Sequence, residues 1–302
     1  MASQSLERRL LLTAGVTATV CAGQVVGGLL TGSLALLSDA AHVFLDAFAL
    51  ALSYAALRAA GRPPTDRYTY GYHRLQVLAA LVNGATLAAV AVGIFREAIE
   101  RIRDPSPVLA GPMLAVAAGG LMVNLIVAWT LRRHDHHDLN VRSAFLHVLG
   151  DALSSLGVLG AGVVILLTGW TMADPLVSLA IGGVILAGAV RVLQRAVHIL
   201  TEGVPEGMSA RAVLNAMSAV PGVSEVHDLH VWTVSPGYVA LSAHVVIADQ
   251  ALSSAEAVLT HLRRVLANEF RIFHTTIQLE CQNCQGTVAC PGPRCPTPGE
   301  HG

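Results

Sequence analysis

Long apolar runs alternate with short polar segments over the first 200 residues of the chain. The runs cover residues 10–31, 34–57, 75–95, 107–131, 143–168 and 175–195. Each is close to the length of about 20 apolar residues that a helix needs to cross a bilayer, and the first, third and fourth contain no charged residue. The pattern predicts an all-α transmembrane domain of six helices over residues 1–200, placed in a lipid bilayer.

After residue 200 the apolar runs become short and are separated by turn residues. Amphipathic periodicity indicates helices at 209–220 and 253–270, and alternation indicates strands at 223–234, 238–247 and 275–279. This αββαβ order predicts a small α+β, ferredoxin-like domain over residues 201–280, with two layers. Residues 281–302, rich in Cys, Pro and Gly, are predicted to form a flexible tail.

The composition agrees with a membrane protein and excludes several other classes. Hydrophobic residues make up 53% of the 302 residues and charged residues 13%, against about 25% in average soluble proteins. A formal net charge of -1 at pH 7 gives no general attraction to phosphate backbones, so no nucleic acid partner is expected. The chain also lacks a GxxxxGK[ST] loop, which argues against ATP as the energy source.

The Arg residues of the connecting segments are unevenly distributed between the two sides of the predicted helices. If the N-terminus is cytoplasmic, most of these Arg residues face the cytoplasm, as the positive-inside tendency requires. Both termini are therefore expected in the cytoplasm. Short loops and the absence of Lys favour a bacterial inner membrane, with an intracellular vesicle membrane as the alternative.

Two of the predicted helices carry a His and an Asp four residues apart: His42 with Asp46, and His147 with Asp151. This spacing places each pair on one helix face, and ionisable groups inside a bilayer usually mark an ion or proton path. Two imidazoles and two carboxylates suit a tetrahedral Zn²⁺ better than Cd²⁺ or Mn²⁺. The alternative is that each pair is a structural hydrogen bond, but the repeated spacing favours metal ligands. Asp39, three residues before His42, is predicted either to support this site by orienting His42 or accepting a proton, or to be a solvated residue near the helix start.

Several motifs of the chain resemble those of the cation diffusion facilitator family. They are SDAAHVFLD at 38–46, YGYHR at 70–74, NVRSAFLHVLGD at 140–151, VHDLHVW at 226–232 and TTIQLE at 275–280. The resemblance implies a homodimeric divalent-metal/proton antiporter with six membrane helices and a cytoplasmic αββαβ domain. It also implies that the two His–Asp pairs are the transport ligands, and a His in the first pair resembles the zinc-preferring branch.

The same resemblance implies a metal site in the predicted soluble domain. The positions that match regulatory zinc ligands of the family, followed by a CxxC pair of the kind some members use, are His227, His244, Glu280, Cys281 and Cys284. Gln278 stands where some bacterial members have a further His ligand, so their full set of sites is not expected here. Zn²⁺ is thus expected both as the transported ion and as a regulatory ion.

Two further groups of His residues are candidate ligands on the cytoplasmic side. His73 matches a family position that can pair with a His of the soluble domain, here His274, and the alternative is an interfacial His without a metal. The segment between the fourth and fifth helices contains His134, His136 and His137, which could collect Zn²⁺ at the entrance of the path. The alternative there is a short solvated linker.

These features together predict an exporter that moves Zn²⁺ out of the cytoplasm in exchange for protons, by alternating access of a His₂Asp₂ site. Protons compete with the metal for the same imidazole and carboxylate lone pairs, which couples the two flows. A membrane-anchored metal sensor and an exporter of Cd²⁺ or Co²⁺ are the alternatives. An enzyme is not expected, because the chain has no HExxH motif and four protein ligands leave no open position on the metal.

Overall fold

The computed structural model describes residues 19–132 and 139–281 of the chain, with the backbone alone at 127–132 and 139–148. The chain divides into two compact units. The first contains Ala80–Leu193 and the chain up to Tyr54, and the second contains Ala55–Ala79 and the chain from Gln194 onward.

The first unit is built from apolar helices. In chain order they are α1 (Thr19–Thr31), α2 (Leu34–Ala60), α3 (Leu75–Arg103), α4 (Ala110–Arg132), α5 (Leu139–Thr168) and α6 (Ala173–Leu200), with the ends of α2, α3 and α6 reaching into the second unit. Among the described residues, α2, α3, α6 and the part of α5 from Leu149 are long and apolar enough to span a membrane. No more than about a third of the most apolar part of each span is buried inside the chain, as expected for helices surrounded by lipid. The protein is therefore an integral membrane protein with a helical transmembrane domain.

Small residues let the helices of the first unit approach closely. A Cβ atom at Gly27 of α1 would lie 2.8 Å from Cγ2 of Val116 on α4. At Gly162 of α5 it would lie 2.8 Å from Cδ2 of Leu114, also on α4. Such backbone contacts at small residues are typical of helix packing in membranes, where van der Waals fit replaces the hydrophobic driving force.

The second unit contains the predicted α+β domain, and its αββαβ order is confirmed. The elements are α7 (Ala210–Ser218), β1 (Val223–Ser235), β2 (Tyr238–Ile247), α8 (Leu252–Phe270) and β3 (His274–Glu280). The sheet order is β1-β2-β3, with β1 antiparallel and β3 parallel to β2. α8 is the crossover that a parallel pair requires.

Local sequence explains where these elements begin and turn. The Ser209 hydroxyl accepts a hydrogen bond from the Ala212 N–H at 3.4 Å and so caps α7. Pro236 and Gly237 join β1 to β2, and Gly237 has a φ of 78°, a conformation that favours glycine. Apolar side chains of α7, α8 and the sheet form one buried core, which includes Met217, Val245 and Leu262.

Candidate metal sites

Three of the four predicted membrane ligands lie together in the first unit. His42 Nδ1 lies 3.8 Å from Asp46 Oδ2 on the same helix, and His42 Nε2 lies 3.5 Å from Asp151 Oδ1 on α5. One ligand atom from each residue lies within 4.8 Å of the others, which is close enough for a single metal ion to bind all three. The i, i+4 spacing on α2 produces this arrangement, because it stacks the two side chains one turn apart.

The fourth predicted ligand, His147, lies in α5 one turn before Asp151. Its side chain lies outside the described residues, so three ligands of the predicted set are placed by the structure. The side chains of His42, Asp46 and Asp151 are 21%, 25% and 13% exposed. They are thus largely enclosed by apolar helices, and three ionisable groups in such surroundings are costly unless they serve a bound ion or proton.

Asp39 occupies a buried polar layer one helical turn from His42. Its carboxylate accepts hydrogen bonds from Gln24 Nε2 at 2.7 Å, Ser154 Oγ at 2.6 Å and Ser155 Oγ at 3.0 Å. The residue is 1% exposed, so it is not the solvated helix-end residue of the alternative prediction. The layer joins α2, which carries His42, to α5, which carries Asp151.

A second cluster lies on the three-stranded sheet. His227 of β1 pairs in register with His244 of β2, and His244 pairs with Gln278 of β3, two residues before Glu280. His227 Nε2 lies 3.3 Å from Glu280 Oε2, and His244 Nδ1 lies 2.8 Å from Glu280 Oε1. Because alternate residues of a strand share one face, the strands bring all three side chains to the same place.

The buried atoms of this sheet cluster fit a metal ion. Both ring nitrogens of His227 and Oε2 of Glu280 are buried without a hydrogen bond to any part of the chain that the structure describes. Unsatisfied buried polar atoms are costly, and a metal ion would use His227 Nε2 and Glu280 Oε2 as ligands. Two imidazoles and a carboxylate are a ligand set that Zn²⁺ accepts, with a fourth position left for water or another residue.

The predicted Cys ligands are only partly within the described chain. Cys281 follows Glu280 and is exposed, whereas Cys284 lies outside the described residues, as do His134, His136 and His137. The described metal-type clusters contain no Cys, so the ligand role of the CxxC pair stays a prediction.

An aromatic ring contacts both His73 and His274. The ring centroid of Tyr238 lies 5.1 Å from that of His73 and 5.7 Å from that of His274, and Tyr70 lies 5.5 Å from His274. Burial, and secondarily the neighbouring Tyr70, raises the pKa of Tyr238 above its usual value. The two imidazoles are absent from the metal-type clusters of the described residues, so a metal shared by them also stays a prediction.

Asp228 and His230 were not assigned a role from the sequence, and a β-bulge explains why. Asp228 and Leu229 of β1 stand opposite the single residue Ala243 of β2, between the register pairs at His227 and His230. Strict alternation would place His230 on the opposite face from His227, but the extra residue changes the phase. As a result the Asp228 carboxylate lies 3.1 Å from His230 Nε2 and 3.9 Å from His244 Nε2. No sequence signal marks the bulge.

Both units match models of known protein families. Residues 10–201 match the model described as the cation efflux transmembrane domain, and residues 205–282 match that of the cation efflux protein, cytoplasmic domain. The two models together therefore cover nearly all of the described chain.

Three curated relatives are similar over most of the chain. The zinc transporter ZitB of Escherichia coli (strain K12) is 42% identical over 92% of this chain and 89% of its own length. The metal cation efflux system protein CzcD of Cupriavidus metallidurans is 39% identical over 92% of this chain and 88% of its own. The cadmium, cobalt and zinc/H(+)-K(+) antiporter of Bacillus subtilis (strain 168) is 37% identical over 88% and 87%.

Proposed function

The chain belongs to the cation diffusion facilitator family of metal cation efflux transporters, and on that basis we propose that it exports Zn²⁺ from the cytoplasm in exchange for protons. The observation that carries the proposal is the cluster of His42, Asp46 and Asp151 inside a bundle of apolar helices. A metal sensor does not need ligands within its membrane-spanning helices, whereas a metal transporter does. Relatives named as a zinc transporter and as a cadmium, cobalt and zinc/H(+)-K(+) antiporter support zinc as a transported ion and the proton as the exchanged ion.

His147 is the proposed fourth ligand of the transported ion. It lies one helical turn before Asp151 on α5, as His42 lies one turn before Asp46 on α2. The resulting two nitrogen and two oxygen donors suit a tetrahedral Zn²⁺. Cd²⁺ and Co²⁺ remain the competing cargo ions.

Proton exchange follows from the chemistry of these four groups. Zn²⁺ binds neutral imidazole and ionised carboxylate, so loading of the site releases protons. An imidazole, with an ordinary pKa of about 6.5, can accept a proton when the site opens to the other side. Protonation removes the lone pair that held the metal, and Zn²⁺ leaves. Alternating access of one site thus couples the two flows, while Asp39 holds α2 against α5 beside it.

The sheet cluster is proposed as a regulatory zinc site. His227, His244 and Glu280 would hold the ion, with Cys281 and Cys284 as further candidate ligands from the adjoining segment. Bound there, Zn²⁺ would cross-link three strands and report the cytoplasmic metal level. We further propose a homodimer with both termini in the cytoplasm, as the family and the distribution of Arg residues indicate.

The proposal is tested by Zn²⁺ uptake into proteoliposomes under an imposed pH gradient. We expect the unmodified chain to accumulate Zn²⁺ only with the gradient, and Asp151→Ala to abolish uptake. Asp249→Ala, which removes an exposed carboxylate outside both clusters, is the matched control and should transport normally.

Two outcomes would contradict the proposal. Uptake that survives Asp151→Ala would place the ion path elsewhere and make the α2–α5 contact structural. Absence of uptake by the unmodified chain, with Zn²⁺ still bound, would favour the membrane-anchored sensor.

A further inference from the structure

The backbone at Asp228 adopts a conformation that most side chains avoid. Its φ of 49° lies in the left-handed region, where a Cβ atom crowds the following carbonyl and glycine is the relaxed choice. Asp and Asn tolerate this region better than other residues that carry a Cβ. Non-glycine residues in this region cluster at functional sites, where the position of the side chain repays the strain.

The bulge directs the Asp228 carboxylate toward the outer nitrogen of His244. His244 has two ring nitrogens: Nδ1 lies 2.8 Å from Glu280 Oε1, inside the proposed zinc site, and Nε2 lies 3.9 Å from Asp228 Oδ2, on the opposite side of the ring. A neutral imidazole carries its proton on only one nitrogen, and the other presents a lone pair. Without a metal, the nearer Glu280 carboxylate favours the proton at Nδ1. Zinc binding through Nδ1 requires the proton at Nε2 instead, and the Asp228 carboxylate stabilises that tautomer from the other side of the ring.

His230 holds the other oxygen of the same carboxylate. Its Nε2 lies 3.1 Å from Asp228 Oδ1, at hydrogen-bond distance, and its side chain is 50% exposed. At 3.9 Å, Asp228 acts on His244 through its charge rather than through a direct hydrogen bond. Carboxylates behind metal-binding imidazoles commonly set the tautomer and ring orientation in this way.

From this geometry we propose that Asp228 is a positioning residue of the sheet cluster, which selects the His244 tautomer that binds zinc through Nδ1. The inference rests on the proposed regulatory zinc site. It adds to that site a group that does not itself contact the ion, and it gives a reason for the left-handed residue in β1. The strained backbone at residue 228 thus places the carboxylate that, in this proposal, raises the zinc affinity of the site.

The substitutions Asp228→Asn and Asp228→Gly test the proposal, because both residues tolerate a positive φ. We would purify the full chain in detergent with Asp151→Ala in every sample, so that the membrane site does not contribute. Zinc affinity is then measured by competition with a chromogenic chelator. We expect Asp228→Gly to weaken zinc binding about 10- to 100-fold. Asp228→Asn should weaken it less, because its amide oxygen keeps a partial negative charge facing Nε2. Without zinc, the melting temperature should be unchanged for Asn and unchanged or higher for Gly.

A spectroscopic measurement separates positioning from a general structural role. With ¹⁵N-labelled His at pH 8 and no metal, the His244 resonance, identified by its loss in His244→Gln, should report a measurable fraction of the Nε2–H tautomer although Glu280 faces Nδ1. Asp228→Gly should shift this population toward Nδ1–H. An unchanged tautomer would overturn the inference, as would unchanged zinc affinity in both variants or lower zinc-free melting temperatures in both.

The control Glu280→Gln distinguishes a failure of the Asp228 proposal from a failure of the proposed regulatory zinc site. In the same background it removes a ligand, and zinc binding by the sheet cluster should be lost. If Glu280→Gln retained that binding, the regulatory site would be wrong. If Glu280→Gln lost it while both Asp228 variants bound zinc normally, only the role of Asp228 would be wrong.

Discussion

Asp174 joins three helix ends at a fully buried point of the first unit, and we predict that Asp174→Ala strongly destabilises the helix bundle. The carboxylate, at the start of α6, is 0% exposed. It accepts hydrogen bonds from Ser33 Oγ at 2.5 Å, the Leu34 N–H at 2.7 Å and the Ala35 N–H at 3.2 Å, and thereby caps α2 from another helix. Arg101, near the end of α3, places Nη1 3.9 Å from Asp174 Oδ2.

The magnitude follows from what Asp174→Ala leaves behind. Hydrogen bonds to a charged group are worth about 1.5–3 kcal/mol each, and loss of a helix cap costs about 1 kcal/mol. These values overlap, since the same N–H groups form both. Arg101 keeps its hydrogen bond to Glu97 at 2.9 Å but loses the buried Asp174 carboxylate as its second partner. Because Arg101 stays paired with Glu97, the loss comes mainly from the three buried donors left without an acceptor, at about 1–3 kcal/mol each, and we expect about 3–5 kcal/mol in total.

The assay is the free energy of unfolding, measured by titrating purified protein from mild detergent into sodium dodecyl sulfate and following helicity. Asp174→Asn, which keeps the shape and one acceptor oxygen, should lose roughly half as much as Asp174→Ala. Glu100→Gln is the matched control, because it removes a carboxylate bonded to Arg96 on the exposed side of α3. If Asp174→Ala lowered the free energy of unfolding by less than about 1 kcal/mol, Asp174 would not stabilise the contact between α2, α3 and α6 as we propose.

Three further predictions concern the sites and the sheet domain. Asp39→Asn replaces a carboxylate that accepts three hydrogen bonds, and should weaken Zn²⁺ binding at the membrane site about tenfold or more in a chelator competition, without removing the ligands. His42→Asp should raise Cd²⁺ uptake relative to Zn²⁺ in proteoliposomes; an unchanged ratio would exclude His42 from selectivity. Gly222→Ala, at a φ of 92° with Val258 Cγ2 3.0 Å from the new Cβ, should cost about 1–3 kcal/mol in chemical denaturation of the sheet domain.

The sequence predicted well those features that depend on periodicity. Alternation and turn residues were enough to predict the order of α7, β1, β2, α8 and β3, because each element buries one face in the same core. The i, i+4 spacing of His42 and Asp46 was likewise enough to group them with Asp151, once two helices were known to carry such pairs. In both cases the signal is local and repeats along the chain.

Features that depend on where one element meets another could not be predicted. Asp174 lies at a helix start, as its place before Pro175 suggests, but only packing shows that its carboxylate caps α2 rather than its own helix. Asp39 likewise could be solvated or buried until α1 and α5 are placed around it. Tyr238 lies against both His73 and His274. These residues belong to three segments that are distant in the sequence, and no pattern in the sequence predicts their contact.

The two metal-type clusters differ in how their ligands are held, and the difference matches the proposed roles. In the membrane cluster, Asp46 and His42 belong to α2 while Asp151 belongs to α5. Among the residues that the structure describes, no backbone hydrogen bond joins these two helices. A small relative displacement of these helices changes the distances between ligands, as release of a transported ion requires. In the sheet cluster, His227, His244 and Glu280 lie on strands joined by a hydrogen-bonded ladder, which fixes their spacing. The site proposed to release its metal is thus divided between two helices that can move apart, and the site proposed to sense the metal is built on one sheet.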